Sequence, residues 1–405
     1  MRIAFFVDQN PLSLGGVQTA VLLQRKYLRR RGIDVTMFAP KAHTTVTDPE
    51  VVVLPSYYLT PDREYSTVGN LAKAAKRARA VFQKTPFDVV HIQGDFAAAT
   101  LGQFLAREFD LPIVYTAHTN LEVMGNKVIG RSFKTVVVNF FAQQHAGFLG
   151  LPRAPLVKDA WEYMAYVHKD VRHVITPSRH FSHELRSRGV AEAPLSILNG
   201  VDDDVMDGYD TTSPPPPPPV RFIWSGRMLP EKRVMQALAA FSRVKADCVL
   251  DIYGSGPLKA VAKRQAQALG VSKRVTFHGK VSHEQMVRAF SSAHVLLQTS
   301  IGFETQGLTV FEALAVGTPS VISDAKIATE LPEGTYWLED TGTQRGLTKT
   351  MTQAAADVLA GVSHRPSHPT TTFLRQSVST ARTIDVYRQA IAEHRQRLEA
   401  AHPTR

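Results

Sequence analysis

The chain has 405 residues, more than one hydrophobic core usually holds, so two domains of roughly 200 residues are expected. Hydrophobic residues make up 44% and charged residues 20%, as is ordinary for a soluble α/β protein. The single cysteine, Cys248, excludes an internal disulfide and favours a reducing, cytoplasmic compartment. The first residues lack the features of a signal peptide, and no run reaches the roughly 18 apolar residues that a membrane-spanning helix needs.

The charge is positive and uneven along the chain. Lysine and arginine number 47 against 36 acidic residues, a net charge of +11. Residues 1–200 carry 24 basic and 16 acidic side chains, a net +8, whereas residues 201–405 carry 23 and 20, a net +3. A basic first half favours an anionic partner such as nucleic acid, a phosphorylated substrate or an anionic membrane, although a solvated basic surface explains the charge equally well.

The first half alternates strand-like and helix-like segments. Short apolar runs bounded by polar or turn residues predict strands at 2–8, 34–39, 87–93, 112–118 and 172–178. Helical patterns lie between several of them, at 17–31, 69–84, 96–108 and 178–188. This alternation predicts a parallel sheet with right-handed crossovers, and hence a Rossmann-like domain over residues 1–200.

A proline-rich connection follows this domain. Residues 198–220 combine an acidic cluster with six consecutive prolines, which cannot form a core element. Because proline runs adopt stiff polyproline II, we interpret residues 201–219 as an interdomain linker. A proline-rich ligand for a partner domain is the less favoured alternative.

The second half repeats the alternation. Strands are predicted at 220–226, 248–254, 274–279, 294–300 and 319–323, and helices at 231–245, 257–269, 282–292 and 307–316. Residues 220–370 therefore form a second Rossmann-like domain, and residues 371–405 form a helical tail that is expected to cross back to the first domain. The predicted fold class is α/β with two doubly wound parallel sheets. Since such sheets bind ligands beyond the carboxyl ends of their strands, the active site is expected in the interdomain cleft.

Glycines and cations stand at the strand-to-helix turns. In SGRMLPEKR, at 225–233, Arg227 and Lys232 lie near a helix N-terminus, where a guanidinium, an ammonium and backbone N–H groups suit a diphosphate. In YGSGPL, at 253–258, two glycines allow close backbone approach, and Gly15 and Gly16 occupy the matching turn after the first strand. Each turn considered singly is also explained as an ordinary helix start or tight turn.

The segment 303–323 places Glu304 and Glu312 around a glycine. One helix through both would set them about 12 Å apart along its axis, so they would not converge on one group. We therefore expect a loop up to residue 306, a helix from about 307 to 316 and termination at Gly317. This arrangement suits a sugar nucleotide, because carboxylates accept hydrogen bonds from hydroxyls while helix N–H groups face phosphate. A surface glutamate pair flanking a core helix is the alternative.

Taken together, these segments resemble the retaining GT-B glycosyltransferases of family four. The resemblance rests on Glu304-x7-Glu312 with GLTVFEALAVGTPSV, on TAH at 116–118, NGVD at 199–202 and GR…EK at 226–232, and on YGSGPL and VTFHG. It extends over most of the chain. The sequence ETQGLT, where many members have Glu-Gly-Phe-Gly-Leu, is most similar to the corresponding segment of bacterial enzymes that glucosylate diacylglycerol.

The resemblance implies a retaining, metal-independent transfer from a nucleotide diphosphate sugar, with no cofactor. The implied catalytic residues are His118, facing donor sugar and acceptor, Arg227 and Lys232, neutralising the departing diphosphate, and Glu304, holding sugar hydroxyls. The implied donor-binding residues are Gly15, Gly16, Gly254, Gly256, His278, Gly279, Thr305, Gln306, Gly307, Leu308 and Glu312; the last would bind the ribose, and the backbone of 277–279 the nucleobase. Asp8 could orient the acceptor hydroxyl, although an aspartate capping a turn is the common alternative.

Two basic segments favour a lipid acceptor at an anionic membrane surface. Residues 69–84 form a basic amphipathic helix, although a crossover helix needs an apolar face as well. Residues 127–153 combine Lys127, Arg131 and Lys134 with valines and phenylalanines where the strand–helix alternation pauses. That segment is interpreted either as a membrane-leaning, acceptor-side excursion or as an ordinary packed insertion. The protein would then be cytoplasmic and peripherally bound to the inner face of the membrane.

The favoured function is transfer of glucose from UDP-glucose to a lipid such as diacylglycerol. GDP-mannose-dependent transfer to phosphatidylinositol and transfer to a soluble sugar are the alternatives among transferases. A non-catalytic polyanion binder explains the charge but not the joint occurrence of the two glutamates with Arg227 and Lys232. A glycoside hydrolase needs two carboxyls facing one bond at roughly 5–10 Å, which the loop-and-helix placement disfavours. No nucleic-acid partner is expected.

Overall fold

A computed structural model describes residues 1–13, 15–59, 63, 65–128, 130–209, 217–339, 341–362, 364–366 and 371–401, with only the backbone of residues 127, 128 and 131–133. The chain divides into two compact units. The first contains Met1–Asn199 together with Gln376–Arg405, and the second contains Gly200–Arg375.

Strands and helices alternate through both units. The strands are β1 (Arg2–Val7), β2 (Asp34–Ala39), β3 (Val51–Val53), β4 (Ser56–Tyr58), β5 (Ser66–Val68), β6 (Val89–Gln93), β7 (Ile113–Thr116), β8 (His173–Thr176), β9 (Leu195–Ser196), β10 (Val220–Ser225), β11 (Cys248–Tyr253), β12 (Val275–Gly279), β13 (Val295–Gln298), β14 (Ser320–Ile322) and β15 (Tyr336–Leu338). The helices are α1 (Gly16–Arg30), α2 (Leu71–Phe82), α3 (Ala97–Glu108), α4 (Leu121–Val128), α5 (Arg131–Phe148), α6 (Ala160–His168), α7 (Arg179–Ser187), α8 (Asp203–Asp207), α9 (Val234–Phe241), α10 (Lys259–Ala268), α11 (His283–Ser291), α12 (Leu308–Ala315), α13 (Ala325–Ala328), α14 (Gln344–Leu359) and α15 (Gln376–Ala401). Short 3-10 turns occupy Pro230–Lys232 and Thr372–Leu374.

The first unit is built on a seven-stranded parallel sheet in the order β3-β2-β1-β6-β7-β8-β9. Its strands are nearly continuous apolar runs because both faces of the sheet are covered. In β1, Ala4 and Phe6 pack with residues of α2 and α3, whereas Ile3, Phe5 and Val7 pack with residues of α1 and α15. The strands β4 and β5 form a separate antiparallel pair.

A buried polar contact anchors α15 to this sheet. Tyr387 on α15 and His91 on β6 are completely buried, and the tyrosine hydroxyl lies 2.7 Å from His91 Nδ1. The other ring nitrogen lies 2.7 Å from Thr116 Oγ1 at the end of β7. Because burial lowers the pKa of His91 well below its usual value, the ring is neutral, with one nitrogen donating and the other accepting.

The second unit is built on a six-stranded parallel sheet in the order β12-β11-β10-β13-β14-β15. Val220, Phe222 and Trp224 alternate along β10 into a core that residues of α9, α10 and α14 close. The start of the predicted linker packs within this unit, since Val201 N donates to Leu374 O at 2.7 Å and Arg375 binds Asp207 at 2.6 Å. Residues 210–216, which include part of the proline run, lie outside the described residues.

The turns after β10 and β11 and the end of β12 pack backbone to backbone at the carboxyl edge of this sheet. Met228 N donates to Ser255 O at 2.9 Å, and Gly254 N donates to Gly279 O at 2.7 Å. A Cβ added to Gly254 would stand 2.0 Å from Gly226 O, and φ at Gly254 is +111°. The close contact between turns therefore requires a glycine at residue 254.

The strands and helices predicted from the sequence are confirmed, with slightly different bounds, and one helix needs correction. The predicted helix 231–245 is interrupted at Arg233, whose left-handed backbone (φ +55°) separates the 3-10 turn from α9. The Arg233 guanidinium donates to Gly342 O at 3.0 Å and Thr299 O at 3.3 Å, which holds the break in place. The region where the alternation pauses folds as α4, α5 and α6.

Replacing Tyr387 with Phe is expected to destabilise the first unit by roughly 1–3 kcal/mol, because the buried His91 Nδ1 loses its partner. Tyr57→Phe, at a tyrosine that is 52% exposed, is the matched control and should leave the free energy of unfolding nearly unchanged. Urea denaturation followed by near-UV circular dichroism measures both. Equal stability of the two variants would contradict the anchoring role of the contact.

Replacing Gly254 with Ala is expected to destabilise the second unit more than replacing Gly270, by roughly 2 kcal/mol. Both glycines have positive φ, so both alanines strain the backbone. A Cβ at Gly270 has nothing within 4 Å, whereas a Cβ at Gly254 collides with main chain. Differential scanning calorimetry compares the two variants, and equal losses would mean that the turns separate freely.

Candidate active site

The turn after β10 and the loop after β13 are joined by an ion pair. The two strands are neighbours in a parallel sheet, so their carboxyl ends meet at one edge. Lys232 pairs with Glu304, whose carboxylate also accepts a hydrogen bond from Ser300 Oγ at 3.0 Å. Thr299 Oγ1 donates to the Lys232 carbonyl oxygen at 2.6 Å. The structure therefore brings Lys232 and Glu304 together, and Arg227 lies exposed in the same turn.

The start of α12 follows Glu304 directly. Gly307 caps the helix in a left-handed conformation (φ +83°), and a Cβ there would lie 3.1 Å from Ile327 Cδ1. Thr305 and Gln306 precede it, and Gln306 is buried. The first turn, from Leu308, leaves backbone N–H groups without partners inside the helix. The Glu304 carboxylate and the N-terminus of α12 thus lie within one short stretch of chain, and the Lys232 ammonium contacts that carboxylate from another turn. This combination suits a phosphorylated, hydroxyl-bearing ligand.

Glu312 is nearly buried on α12 and is held by a histidine. His283 Nε2 donates to Glu312 Oε1 at 2.9 Å. The hydrogen bond to Glu312 raises the pKa of His283, and burial of the imidazole opposes the rise. Glu304 and Glu312 therefore have different partners within the chain.

The His278 side chain belongs to a network on the sheet. Its Nε2 lies 2.7 Å from Asp251 Oδ1, and its ring stacks on Tyr253 with 4.2 Å between centroids. Asp251 also pairs with Arg221. Since Gly279 O already accepts from Gly254 N, the end of β12 is tied to the turn at 254–256. Gly256 is likewise constrained, because a Cβ there would stand 2.7 Å from Met228 O.

In the first unit, Asp8 contacts the start of α3 from the end of β1. Its carboxylate accepts hydrogen bonds from Phe96 N and Ala98 N, both at 2.9 Å. Burial raises the pKa of Asp8 to about 6, with a smaller contribution from the charge of Asp95 and opposition from the two backbone hydrogen bonds. This is a helix-capping contact, so the acceptor-orienting role of Asp8 stays a prediction.

His118 is buried after β7 and held by a chain of amides. Its Nε2 lies 2.9 Å from Gln93 Oε1, and since a carboxamide oxygen accepts, Nε2 carries the proton. Gln93 Nε2 donates in turn to Gln24 Oε1 on α1 at 2.9 Å. Burial lowers the pKa of His118 to about 4, although Asp95 opposes this, so the ring is neutral near neutral pH. Gly15 and Gly16 lie at the start of the same helix α1.

Three of these side chains could not be singled out from the sequence: Ser300, His283 and Gln93. Gln93 and His283 contact predicted residues, His118 and Glu312, that are far from them in the chain, whereas Ser300 contacts Glu304 within the same loop. None of the three stands in a recognisable motif. The only local signal is the serine before His283, which caps α11 through a reciprocal hydrogen bond with Gln285. That signal marks a helix start and does not indicate a partner on α12.

The described residues contain no group of three His, Cys, Asp or Glu side chains arranged to hold a metal ion. Among them, too, no helix combines the length and apolar character needed to cross a bilayer.

Family models match both halves of the chain. The model described as Glycosyltransferase Family 4 matches residues 14–205, and the model described as Glycosyl transferases group 1 matches residues 211–357. Between them they span most of the two units.

Individual relatives are more distant. The chain is 26% identical over 335 residues to an alpha-monoglucosyldiacylglycerol synthase of Streptococcus pneumoniae (strain ATCC BAA-255 / R6), covering 79% of this chain and 70% of the relative. It is 27% identical over 335 residues to a phosphatidyl-myo-inositol mannosyltransferase of Mycobacterium leprae (strain TN), covering 80% and 79%. A solved sucrose-phosphate synthase from Thermosynechococcus elongatus superposes with a TM-score of 0.70 at 19% identity, covering 97% of this chain and all of that one. The chain therefore belongs to glycosyltransferase family 4, and its two parallel-sheet α/β domains have the GT-B fold.

Proposed function

We propose that the protein transfers glucose from UDP-glucose to a membrane lipid such as diacylglycerol, with retention of anomeric configuration and without a metal ion. The observation that carries the proposal is the Lys232–Glu304 pair beside the start of α12. The relative from Streptococcus pneumoniae, a monoglucosyldiacylglycerol synthase, supports the choice of sugar and acceptor.

The second unit would hold the donor. Leaving-group departure builds negative charge on the diphosphate, and preorganised cations stabilise that charge. Lys232 and Arg227 would supply the cations, with the N–H groups at the start of α12. Glu304 would hold sugar hydroxyls and Glu312 the ribose. The backbone at 277–279 would lie beside the nucleobase.

The first unit would supply His118 and receive the acceptor. With a pKa of about 4, His118 is neutral and cannot donate a proton as an acid near neutral pH. We therefore assign it to contacts with the donor sugar and acceptor. The departing phosphate oxygen would take the acceptor proton on the same face of the sugar, so that no protein nucleophile is needed.

The membrane contact is better placed on α5 than on α2. On α2, Ala74, Ala75, Ala78 and Phe82 are buried in the core of the first unit, and the partly buried Leu71 and Val81 pack against it, so the fold already covers the apolar face of this helix. On α5, Val136 and Phe140 are 60% and 61% exposed one turn apart. Lys134, one of the cations on which the membrane interpretation of residues 127–153 rested, is buried and pairs with Glu122.

A neighbouring segment extends this exposed apolar surface. Asn139 Nδ2 donates to Val157 O at 2.8 Å and Gln143 Nε2 donates to Ala154 O at 2.9 Å, so residues 154–157 lie along α5. Leu156 in this segment is 81% exposed. Val136, Phe140 and Leu156 form what we call the apolar ridge, with exposed Arg153 and Lys158 nearby. The early part of the predicted segment lies partly outside the described residues, at residue 129 and the side chains of 127, 128 and 131–133.

The function is tested by incubating the protein with radiolabelled UDP-glucose or GDP-mannose and with diacylglycerol or phosphatidylinositol in anionic micelles containing EDTA. Labelled glycolipid from UDP-glucose and diacylglycerol is the expected product. Lys232→Ala should lower kcat by about 10²–10³-fold through loss of charge stabilisation, and Lys245→Ala, an exposed lysine of the same unit, should not.

The other arms of this assay separate the alternatives. Product from GDP-mannose and phosphatidylinositol would favour the activity that the Mycobacterium leprae relative is named for. Donor hydrolysis without lipid product would indicate a soluble acceptor. If the protein neither turned over nor bound either donor, the enzymatic proposal would be overturned. That result would favour a polyanion binder, for which the net charge of +11 is the only support.

Replacing Phe140 and Leu156 together with Ser is expected to weaken binding to anionic vesicles at least about tenfold, because exposed apolar side chains enter the lipid interface. Leu359→Ser, at an exposed leucine of the second unit, is the matched control. Cosedimentation with phosphatidylglycerol-containing vesicles measures the change. Unchanged binding of the double variant would remove the apolar ridge from the membrane contact.

A further inference from the structure

His283 is placed to control the carboxylate that faces the donor nucleoside in the proposed function. It is the first residue of α11, and the Ser282–Gln285 capping box fixes the backbone at this point. From there its Nε2 reaches Glu312 Oε1 on α12 at 2.9 Å. Two helices that are remote in sequence are therefore joined at the side chain that would bind the ribose.

Glu312 has few other ways to be held. It is 8% exposed, and a nearly buried carboxylate is stable only when it is hydrogen-bonded or paired. Among the described residues, His283 is the hydrogen-bond partner of its carboxylate, through Oε1. The second oxygen, Oε2, makes no hydrogen bond to the described part of the chain and can accept from a ligand hydroxyl.

The contact is also electrostatically favourable. Two carboxylates face the imidazole, Glu312 from α12 and Asp202 from the cap of α8, and both stabilise its protonated form. A charge-assisted hydrogen bond from the ring restricts rotation of the Glu312 carboxylate more than a neutral one would. The ring does not need to touch the donor to exert this effect.

We infer that His283 is a positioning residue for donor binding, which holds Glu312 through Oε1 so that Oε2 is presented to a hydroxyl of the nucleoside. The inference rests on the proposed role of Glu312 as a ribose ligand. Because a ribose contact persists from the bound donor to the transition state, its loss should raise KM for the donor and leave kcat nearly unchanged.

The test measures donor KM and kcat for His283→Ala, His283→Gln and Glu312→Gln in the full chain. The donor is UDP-glucose, or GDP-mannose if the protein turns over GDP-mannose alone. His283→Ala should raise donor KM about 5–30-fold with kcat within about twofold. His283→Gln should recover most of the affinity, because its amide nitrogen can replace Nε2 as donor to Glu312. Glu284→Ala, the neighbouring exposed residue of α11, is the matched control and should not change KM.

The double variant shows whether His283 acts through Glu312. If it does, His283→Ala combined with Glu312→Gln should raise KM no further than Glu312→Gln alone. The inference would be overturned if His283→Ala raised donor KM by the same factor in the Glu312→Gln variant as in the wild-type chain. The inference would also be overturned if Glu312→Gln raised donor KM and His283→Ala did not. That result would leave the proposed function intact.

An unchanged KM in Glu312→Gln would instead remove Glu312 from the donor site and overturn both the ribose assignment and the inference. Thermal unfolding of each variant controls for loss of fold. Should His283→Ala not fold, His283→Asn replaces it, because its shorter amide does not reach Glu312 and its polarity preserves the helix start.

Discussion

The proposed donor side of the second unit depends on close main-chain packing at the carboxyl ends of its strands. The hydrogen bonds from Gly254 to Gly279 and from Met228 to Ser255 leave no room for a side chain at residue 254. Densely packed contacts of this kind have few alternative arrangements. Main-chain hydrogen bonds consequently hold the turn that carries Arg227 and Lys232. The backbone positions of these two residues do not depend on the contacts of their side chains.

The Lys232–Glu304 pair is better explained by function than by stability. Taking two charges partly out of water costs about as much as their attraction returns, so such pairs stabilise a fold weakly. Glu304 also accepts from Ser300, and its carboxylate would keep one hydrogen bond if Lys232 turned towards a phosphate. The arrangement therefore lets the ammonium change partners without leaving a partly buried carboxylate unpaired, as the proposed contact with a departing diphosphate would require.

The sequence predicted what local chemistry determines. Continuous apolar runs identified β1 and β10, and Gly307 and Gly317 correctly bracketed α12, because strand burial and helix ends depend on neighbouring residues. The break at Arg233 was missed, because its cause is hydrogen bonding to Thr299 and Gly342, far along the chain. The His283–Glu312 contact was missed for the same reason: it depends on which helices the sheet order places side by side.

The two basic segments show why periodicity alone does not identify a membrane helix. A crossover helix and a membrane-surface helix have the same sequence pattern, since each needs one apolar face and one charged face. What distinguishes them is whether the protein already covers the apolar face, as it does for Ala74 and Phe82 on α2. On α5 the pattern is weaker, yet Phe140 is left exposed, whereas the adjacent Phe141 packs on Phe96 against the core. An apolar side chain that the fold leaves uncovered is thus better evidence for a lipid contact than the stronger amphipathic pattern of α2.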